Sequence, residues 1–380
     1  MKRILSMLLL FAGLLPGRVF APPVLRDGDL PVQAPSALLM EQETGAVLYE
    51  KNADERMAPA SVTKVMTLLL ILEDLEAGKI ALDDVVTASA RAASFGGSCV
   101  YLEEGERMSV EEMLKCITVV SANDCAVAMA EHLSGTEALF VERMNRRAQE
   151  LGLSNTHFTN CTGLFDDDAH YSSARDVALM SRELMRHPQI LDYSTIWMDS
   201  IRDGAFELVN TNKLLKRYEG CTGLKTGFTS LAMYCLAATA ERDGLSFIAV
   251  IMHAESADSR NADAAALLNY GFANFSLCSL RPDTALPTLP VEMGRKGGVP
   301  LVIRGPSRAL VPKGSGVPDY VLTLPELLSA PLEEGQQVGS LTVRLGDETV
   351  AELPVLCAEA VERIGFWGLF CKLAGSLIGL

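Results

Sequence analysis

Short apolar runs at 37–40 and 46–49 flank Thr44-Gly45, a turn-forming pair, and this spacing predicts a β-hairpin. Before it, positions 22–36 are rich in proline and small residues and read as a lead-in. After it, Met57-Ala58-Pro59-Ala60-Ser61 is followed by apolar side chains at 62, 65, 66, 69, 72 and 75, with Gly78 just beyond. Proline near the start and glycine past the end mark an amphipathic or buried helix. Helical spacing returns over 109–120, 122–133, 138–151 and 174–185, strand patterns resume at 233–240 and 246–252 across Glu241-Arg242-Asp243-Gly244, and a helix is expected over 262–275. Strands on either side of a helical block predict an α/β (α+β) domain with one sheet assembled from both ends of the segment. Its expected extent is 22–276.

The texture then changes. Pro282, Pro287, Pro290, Pro300, Pro306, Pro312, Pro318 and Pro325 punctuate short apolar runs, so a small all-β domain is expected over 277–356. Within it, 341–345 and 349–353 flank Gly346-Asp347, a hairpin turn with glycine at its first central position. The segment 364–380 carries one charge, Lys372. A helix of that length reaches only about 25 Å, so a membrane-anchor helix assigned to 361–380 either lies in the membrane surface or crosses it. At the other end, Lys2 and Arg3 precede an uncharged run over 4–15, then Gly17 and Ala21, the pattern of a secretory signal peptide over 1–21. An uncharged run of about 12 residues is too short to cross a membrane, and export is expected.

Charge and composition narrow the partners. Lys and Arg total 33 and Asp and Glu 48, a net charge of −15, which is the wrong sign for gripping a phosphate backbone, so no nucleic-acid partner is expected. With 49% hydrophobic and 21% charged residues, most of the chain should fold. The nine cysteines form no CxxC and sit largely in apolar context, as Cys235 does in Tyr234-Cys235-Leu236-Ala237, which predicts buried small hydrophobes. The five histidines form neither HExxH nor a close pair, so neither a histidine base nor a metal is suggested, and no cofactor is called for.

The chemistry rests on three short words. S-x-x-K alone is expected by chance about once in a chain of this length, S-x-N about as often, and K-T-G roughly twenty times more rarely. Ser61-Val62-Thr63-Lys64 lies on the first turn of a predicted helix, so Ser61 and Lys64 share a face. A serine hydroxyl needs a neighbouring base, and a lysine becomes one when apolar packing lowers its pKa; Val65, Met66 and Leu68 supply such neighbours. Taken alone, the pair is better read as Ser61 capping the helix while Lys64 reaches solvent. S-x-N occurs twice, at Ser121-Ala122-Asn123 and Ser259-Arg260-Asn261, and K-T-G once, at Lys225-Thr226-Gly227.

Order and context decide. Pro59-Ala60-Ser61-Val62-Thr63-Lys64-Val65-Met66-Thr67, Ser121-Ala122-Asn123-Asp124 and Gly223-Leu224-Lys225-Thr226-Gly227-Phe228-Thr229 resemble the low-molecular-mass penicillin-binding proteins that act as D-alanyl-D-alanine carboxypeptidases. Asn160-Cys161-Thr162-Gly163-Leu164, Ser172-Ser173-Ala174-Arg175-Asp176 and Asn210-Thr211-Asn212-Lys213-Leu214-Leu215 look like the same family. The resemblance implies a serine penicillin-recognising, transpeptidase-like domain with a small β-domain and amphipathic tail. It implies a bacterial protein on the outer face of the cell membrane, with a peptidoglycan stem peptide ending in D-Ala-D-Ala as substrate and β-lactams as acylating ligands. By position, Ser61 would be the nucleophile, Lys64 its base and Ser121 a proton relay; Asn123 would orient the acyl chain. Lys225, Thr226 and Arg260 would face the substrate carboxylate, Gly227 would be a further substrate-binding position, and the N–H groups of Ser61 and Phe228 would hold the oxyanion. Asp176 is a candidate supporting residue. Phe228 and Thr162 depart from members that carry histidine there, which touches fine specificity. A β-lactamase would need a deacylating glutamate, for which Glu207 in Glu207-Leu208-Val209-Asn210 is badly spaced. A D,D-endopeptidase, or a protein that binds penicillin or wall peptide without turnover, would share every residue named.

Overall fold

Strands buried on both faces organise the first part of the molecule. A computed structural model describes residues 18–165, 167–368 and 370. They divide into a unit spanning Pro22–Asn274 and a second built from Phe275 onward together with the residues just before Pro22. In the first unit, β1 (Ser36–Glu41), β2 (Val47–Lys51), β3 (Cys221–Thr229), β4 (Met233–Arg242) and β5 (Leu245–Ala254) form an antiparallel sheet in the order β2-β1-β5-β4-β3. Both halves of the segment contribute strands, as expected.

Alternate residues of β5 serve opposite faces. Ile248, Val250 and Met252 join Leu38 and Met40 in the main core with the helices α1 (Lys64–Glu76), α2 (Val110–Val119), α3 (Asn123–Ser134), α4 (Glu137–Glu150) and α5 (Ala174–Leu184). Phe247 faces α6 (Ala257–Asn274), where its ring meets Phe272 at 4.9 Å and fills the space a side chain at Gly271 would take. Helix α1 is buried on nearly all sides from Val65 to Leu72, and a tight 3-10 turn, Ala60–Thr63, precedes it. It stops at Gly78, whose φ of +66° an L side chain adopts only with strain.

One strand has no counterpart in the hydrophobic pattern, and one helix boundary needs correction. The stretch carrying Lys225-Thr226-Gly227 is a full edge strand, β3, although lysine, threonine and two glycines give it no readable alternation; its pairing with β4 makes it a strand. Helix α6 starts at Ala257 rather than 262, because its polar first turn is capped by Ser256, whose Oγ accepts the Ser259 N–H at 3.0 Å.

The second unit is all strand from Phe275 to Cys357 among its regular elements. Strand β6 (Phe275–Ser279) pairs with β8 (Arg308–Pro312), while β7 (Leu301–Ile303), β9 (Pro318–Thr323), β10 (Gln337–Leu345) and β11 (Glu348–Cys357) share one sheet over a core of Leu341, Val343, Leu353 and Val355. The expected hairpin around Gly346 is β10–β11. Most of the expected leader, 1–17, lies outside the described residues; Arg18–Val19 pairs with Glu352 and Ala351 as a short strand. Of the expected anchor, 369 and 371–380 also lie outside them. Among the described residues no helix is long and apolar enough to cross a membrane. Eight described cysteines are free thiols, six of them buried.

Candidate active site

The 3-10 turn brings Ser61 Oγ within 3.1 Å of Lys64 Nζ. Lys64 is fully buried, and its ammonium is 2.6 Å from Asn123 Oδ1 and 2.9 Å from the Thr162 carbonyl. Burial lowers the Lys64 pKa to about 7, against weaker opposing effects of Cys161, Cys99 and Asp124. A neutral amine has two N–H groups and one lone pair. With the two N–H groups directed at Asn123 Oδ1 and Thr162 O, the lone pair faces the Ser61 hydroxyl, which is the arrangement a base needs.

The turn between α2 and α3 forms the opposite wall. Ser121 has a φ of +66°, a conformation that costs a non-glycine residue roughly 1 kcal/mol or more, and is 3% exposed. Its hydroxyl has no hydrogen-bond partner among the described residues. Asn123 is fixed by its side-chain N–H to Gly96 O at 2.8 Å and its backbone N–H to Ser98 O at 2.7 Å. The buried Asp124 carboxylate braces the same loop by accepting the N–H groups of Val100 and Leu102.

Strand β3 closes a third side. Gly227 lies so close to the turn that a Cβ there would stand 2.9 Å from Pro59 O and 3.1 Å from Ser61 N, so glycine permits the strand to reach Ser61. Lys225 is buried, with Nζ donating to Thr226 O at 3.1 Å, and Thr226 Oγ1 shares a 2.7 Å hydrogen bond with Thr211 Oγ1. Arg260, 5% exposed rather than on the surface, reaches up from α6 to Cys235 O at 3.4 Å, and Cys235 is the register partner of Gly227. Burial, then repulsion from Lys64 and Arg260, lowers the Lys225 pKa well below its usual value. Lys225 and Arg260 take no part in the ion pairs among the described residues. A buried basic cluster of this kind attracts an anionic ligand, whose arrival would raise the lysine pKa back toward its usual value.

A strap of residues 160–165 and 167–172 lies under the turn. Asn160 Oδ1 accepts the N–H groups of Thr162 and Gly163, and Thr67 Oγ1 donates to Cys161 O at 2.7 Å. Thr162, one of the two departures from the expected motif, acts through its carbonyl on Lys64. Phe228, the other, is half exposed with its ring 4.4 Å from Tyr234. Asp176 serves elsewhere, accepting from Asn155 N and Thr156 Oγ1 beside the start of α5. Glu207 is exposed on a hairpin strand, Phe206–Val209. Sequence reading missed His170, which bonds Thr63 within the 3-10 turn, and Thr211 on Thr226. In the Asn210-Thr211-Asn212 word, Asn212 Nδ2 donates to Gly223 O at 2.7 Å and so secures β3.

Residues 24–256 match the family described as D-alanyl-D-alanine carboxypeptidase, and 280–363 match that described as penicillin-binding protein 5, C-terminal domain. The chain is 42% identical over 378 residues to D-alanyl-D-alanine carboxypeptidase DacF of Bacillus subtilis, covering 96% of both chains. It is 33% identical to D-alanyl-D-alanine carboxypeptidase DacC of Escherichia coli, over 92% of this chain and 90% of the relative. Among solved structures, penicillin-binding protein 5 of Haemophilus influenzae is similar with a TM-score of 0.77 and 31% identity, over 90% of this chain and all of the other.

Proposed function

The chain belongs to the D-alanyl-D-alanine carboxypeptidase family, a group of low-molecular-mass penicillin-binding proteins, and we propose how its residues perform that reaction. The protein is a serine-type D-alanyl-D-alanine carboxypeptidase that removes the terminal D-Ala from the peptidoglycan stem peptide. Ser61 attacks the carbonyl between the two D-alanines as Lys64 takes its proton, and the N–H groups of Ser61 and Phe228 hold the oxyanion. The proton passes through Ser121 to the departing D-Ala amine, which suits a buried hydroxyl otherwise without a partner. Water then cleaves the ester on Ser61, giving the shortened peptide and returning the proton to the serine. Lys225, Thr226 and Arg260 receive the terminal carboxylate, Asn123 orients the acyl chain, and Gly227 lets β3 line the groove. A β-lactam acylates the same Ser61, its carboxylate meeting the same cations.

The single observation that carries this reading is the buried Lys64 amine, two acceptors on its N–H groups and its third direction on Ser61 Oγ. The reading extends to an exported protein acting at the outer face of the cytoplasmic membrane, with a leader over 1–21, a catalytic domain over 22–276, a β-domain over 277–356, and a tail over 361–380 lying in the membrane surface. The exposed Phe366, Trp367 and Phe370 support that last placement. The test is D-Ala release from a synthetic peptide ending in D-Ala-D-Ala, with Ser61→Ala as control. Steady release that the control lacks is expected. Cleavage confined to cross-linked peptides would move the reading to an endopeptidase, and penicillin labelling without release to a binding protein.

A further inference from the structure

His170 is 3% exposed and bonded on both ring nitrogens. Nδ1 is 3.0 Å from the backbone nitrogen of Thr159, which can only donate, so Nδ1 is the acceptor and the neutral ring carries its proton on Nε2. Nε2 is 2.7 Å from Thr63 Oγ1, so the ring donates to a hydroxyl lying between Ser61 and Lys64 in the chain. Burial lowers the His170 pKa to about 4, which keeps the ring neutral under ordinary conditions.

The far end of this linkage is fixed. Asn145 on α4 accepts the Phe158 N–H and donates to the Phe158 carbonyl, both at 2.8 Å, so the peptide presenting Thr159 N–H is tied to a helix. The near end needs fixing. The Ser61–Lys64 approach is made on a 3-10 turn, and Ala60 at its start has a φ of +47°. A residue in that conformation persists only where its surroundings hold it.

We propose that His170 is a positioning residue for the reaction: through Nε2–H on Thr63 Oγ1 it clamps the 3-10 turn, so that Ser61 Oγ stays within hydrogen-bond reach of the Lys64 amine. It touches no reacting atom. The inference rests on Ser61 as nucleophile and Lys64 as base, as read above.

The test uses the full chain, active sites counted by stoichiometric labelling with a fluorescent penicillin, and D-Ala release expressed per labelled site. In His170→Ala, kcat per site should fall about 10- to 100-fold with KM changed little, the scale expected when a reacting pair is misplaced by a fraction of an ångström. His170→Gln keeps a donor where Nε2 was and should recover most of the loss. His170→Asn keeps only an acceptor where Nδ1 was and should not. Combined with Thr63→Val, His170→Ala should be no slower than Thr63→Val alone, since both remove the Nε2–Thr63 bond through which the clamp acts. A lowered melting temperature with unchanged kcat per site, recovery by His170→Asn instead of His170→Gln, or multiplying losses in the double variant would each overturn the proposal. If wild type takes the penicillin label but releases no D-Ala, the functional reading fails, and the second-order rate of penicillin acylation supports the same comparison of variants.

Discussion

At the scale of single residues, the site joins two groups held in unfavourable states. Lys64 is the first. Burial brings its pKa to about 7, so at lower pH the amine is protonated and cannot take the Ser61 proton. The kcat/KM for D-Ala release should therefore rise about tenfold per pH unit below 7 and level off above it, which a pH profile under single-turnover or steady-state conditions will check. Ser121 is the second, a buried hydroxyl with no partner among the described residues at a left-handed backbone position. Ser121→Ala removes a desolvated polar group, so the melting temperature should hold or rise, a gain of up to about 1 kcal/mol, while turnover falls about 100-fold or more for want of the proton relay. Paired calorimetry and kinetics would expose a purely structural Ser121 as the opposite pattern. Ser61, Lys64, Ser121, Asn123 and Lys225 could be located from sequence because three short words occur in one order. His170 could not, since its partner Thr63 lies 107 positions away and only the fold brings a seemingly isolated histidine beneath the turn.

At the scale of elements, reactivity depends on how closely a strap and a strand approach the 3-10 turn. Gly163 has a φ of +72°, and a Cβ there would lie 1.8 Å from Ala60 O and 2.6 Å from Thr63 Oγ1. The nearest obstacle is backbone, so it cannot swing aside. Gly163→Ala should push the strap from the turn, break the Thr162 carbonyl contact with Lys64, and cost about 3 kcal/mol or more. The expected result is a clearly lower melting temperature and a residual chain that takes penicillin label slowly or not at all; wild-type labelling kinetics would show that the approach is not needed. The helices and the flanking hairpin were readable from spacing because their apolar faces meet one core. Strand β3 was not, because its glycines and buried lysine answer to the groove rather than to alternation. The start of α6 was hidden for a related reason: its first turn is polar, and its cap is a Ser256–Ser259 bond that hydrophobic spacing does not register.

At the scale of the whole molecule, the chain carries a net charge of −15 while Lys64, Lys225 and Arg260 lie near one another. Proline punctuation after 276 was enough to read a change to β structure, and the strands from Phe275 to Cys357 bear out an all-β second domain. Composition could not say what the tail does, because a weakly charged segment of that length suits a docked helix, an interfacial helix and a marginal span alike. The exposed Phe366, Trp367 and Phe370 favour the interface, since aromatic side chains bury an apolar body while remaining at the headgroup level. An acidic protein is repelled by anionic lipid, so the proposed retention at a membrane would have to come from such apolar burial. Removing 364–380 should accordingly release the protein into the soluble fraction of cells, whereas raising the salt concentration should not. Because the residues that bond Ser61 and Lys64 all lie before 275, the truncated protein should keep its kcat/KM on a soluble D-Ala-D-Ala peptide within about twofold. Membrane retention after the deletion would place the attachment elsewhere, and release of the intact chain by salt alone would replace apolar burial with an electrostatic contact.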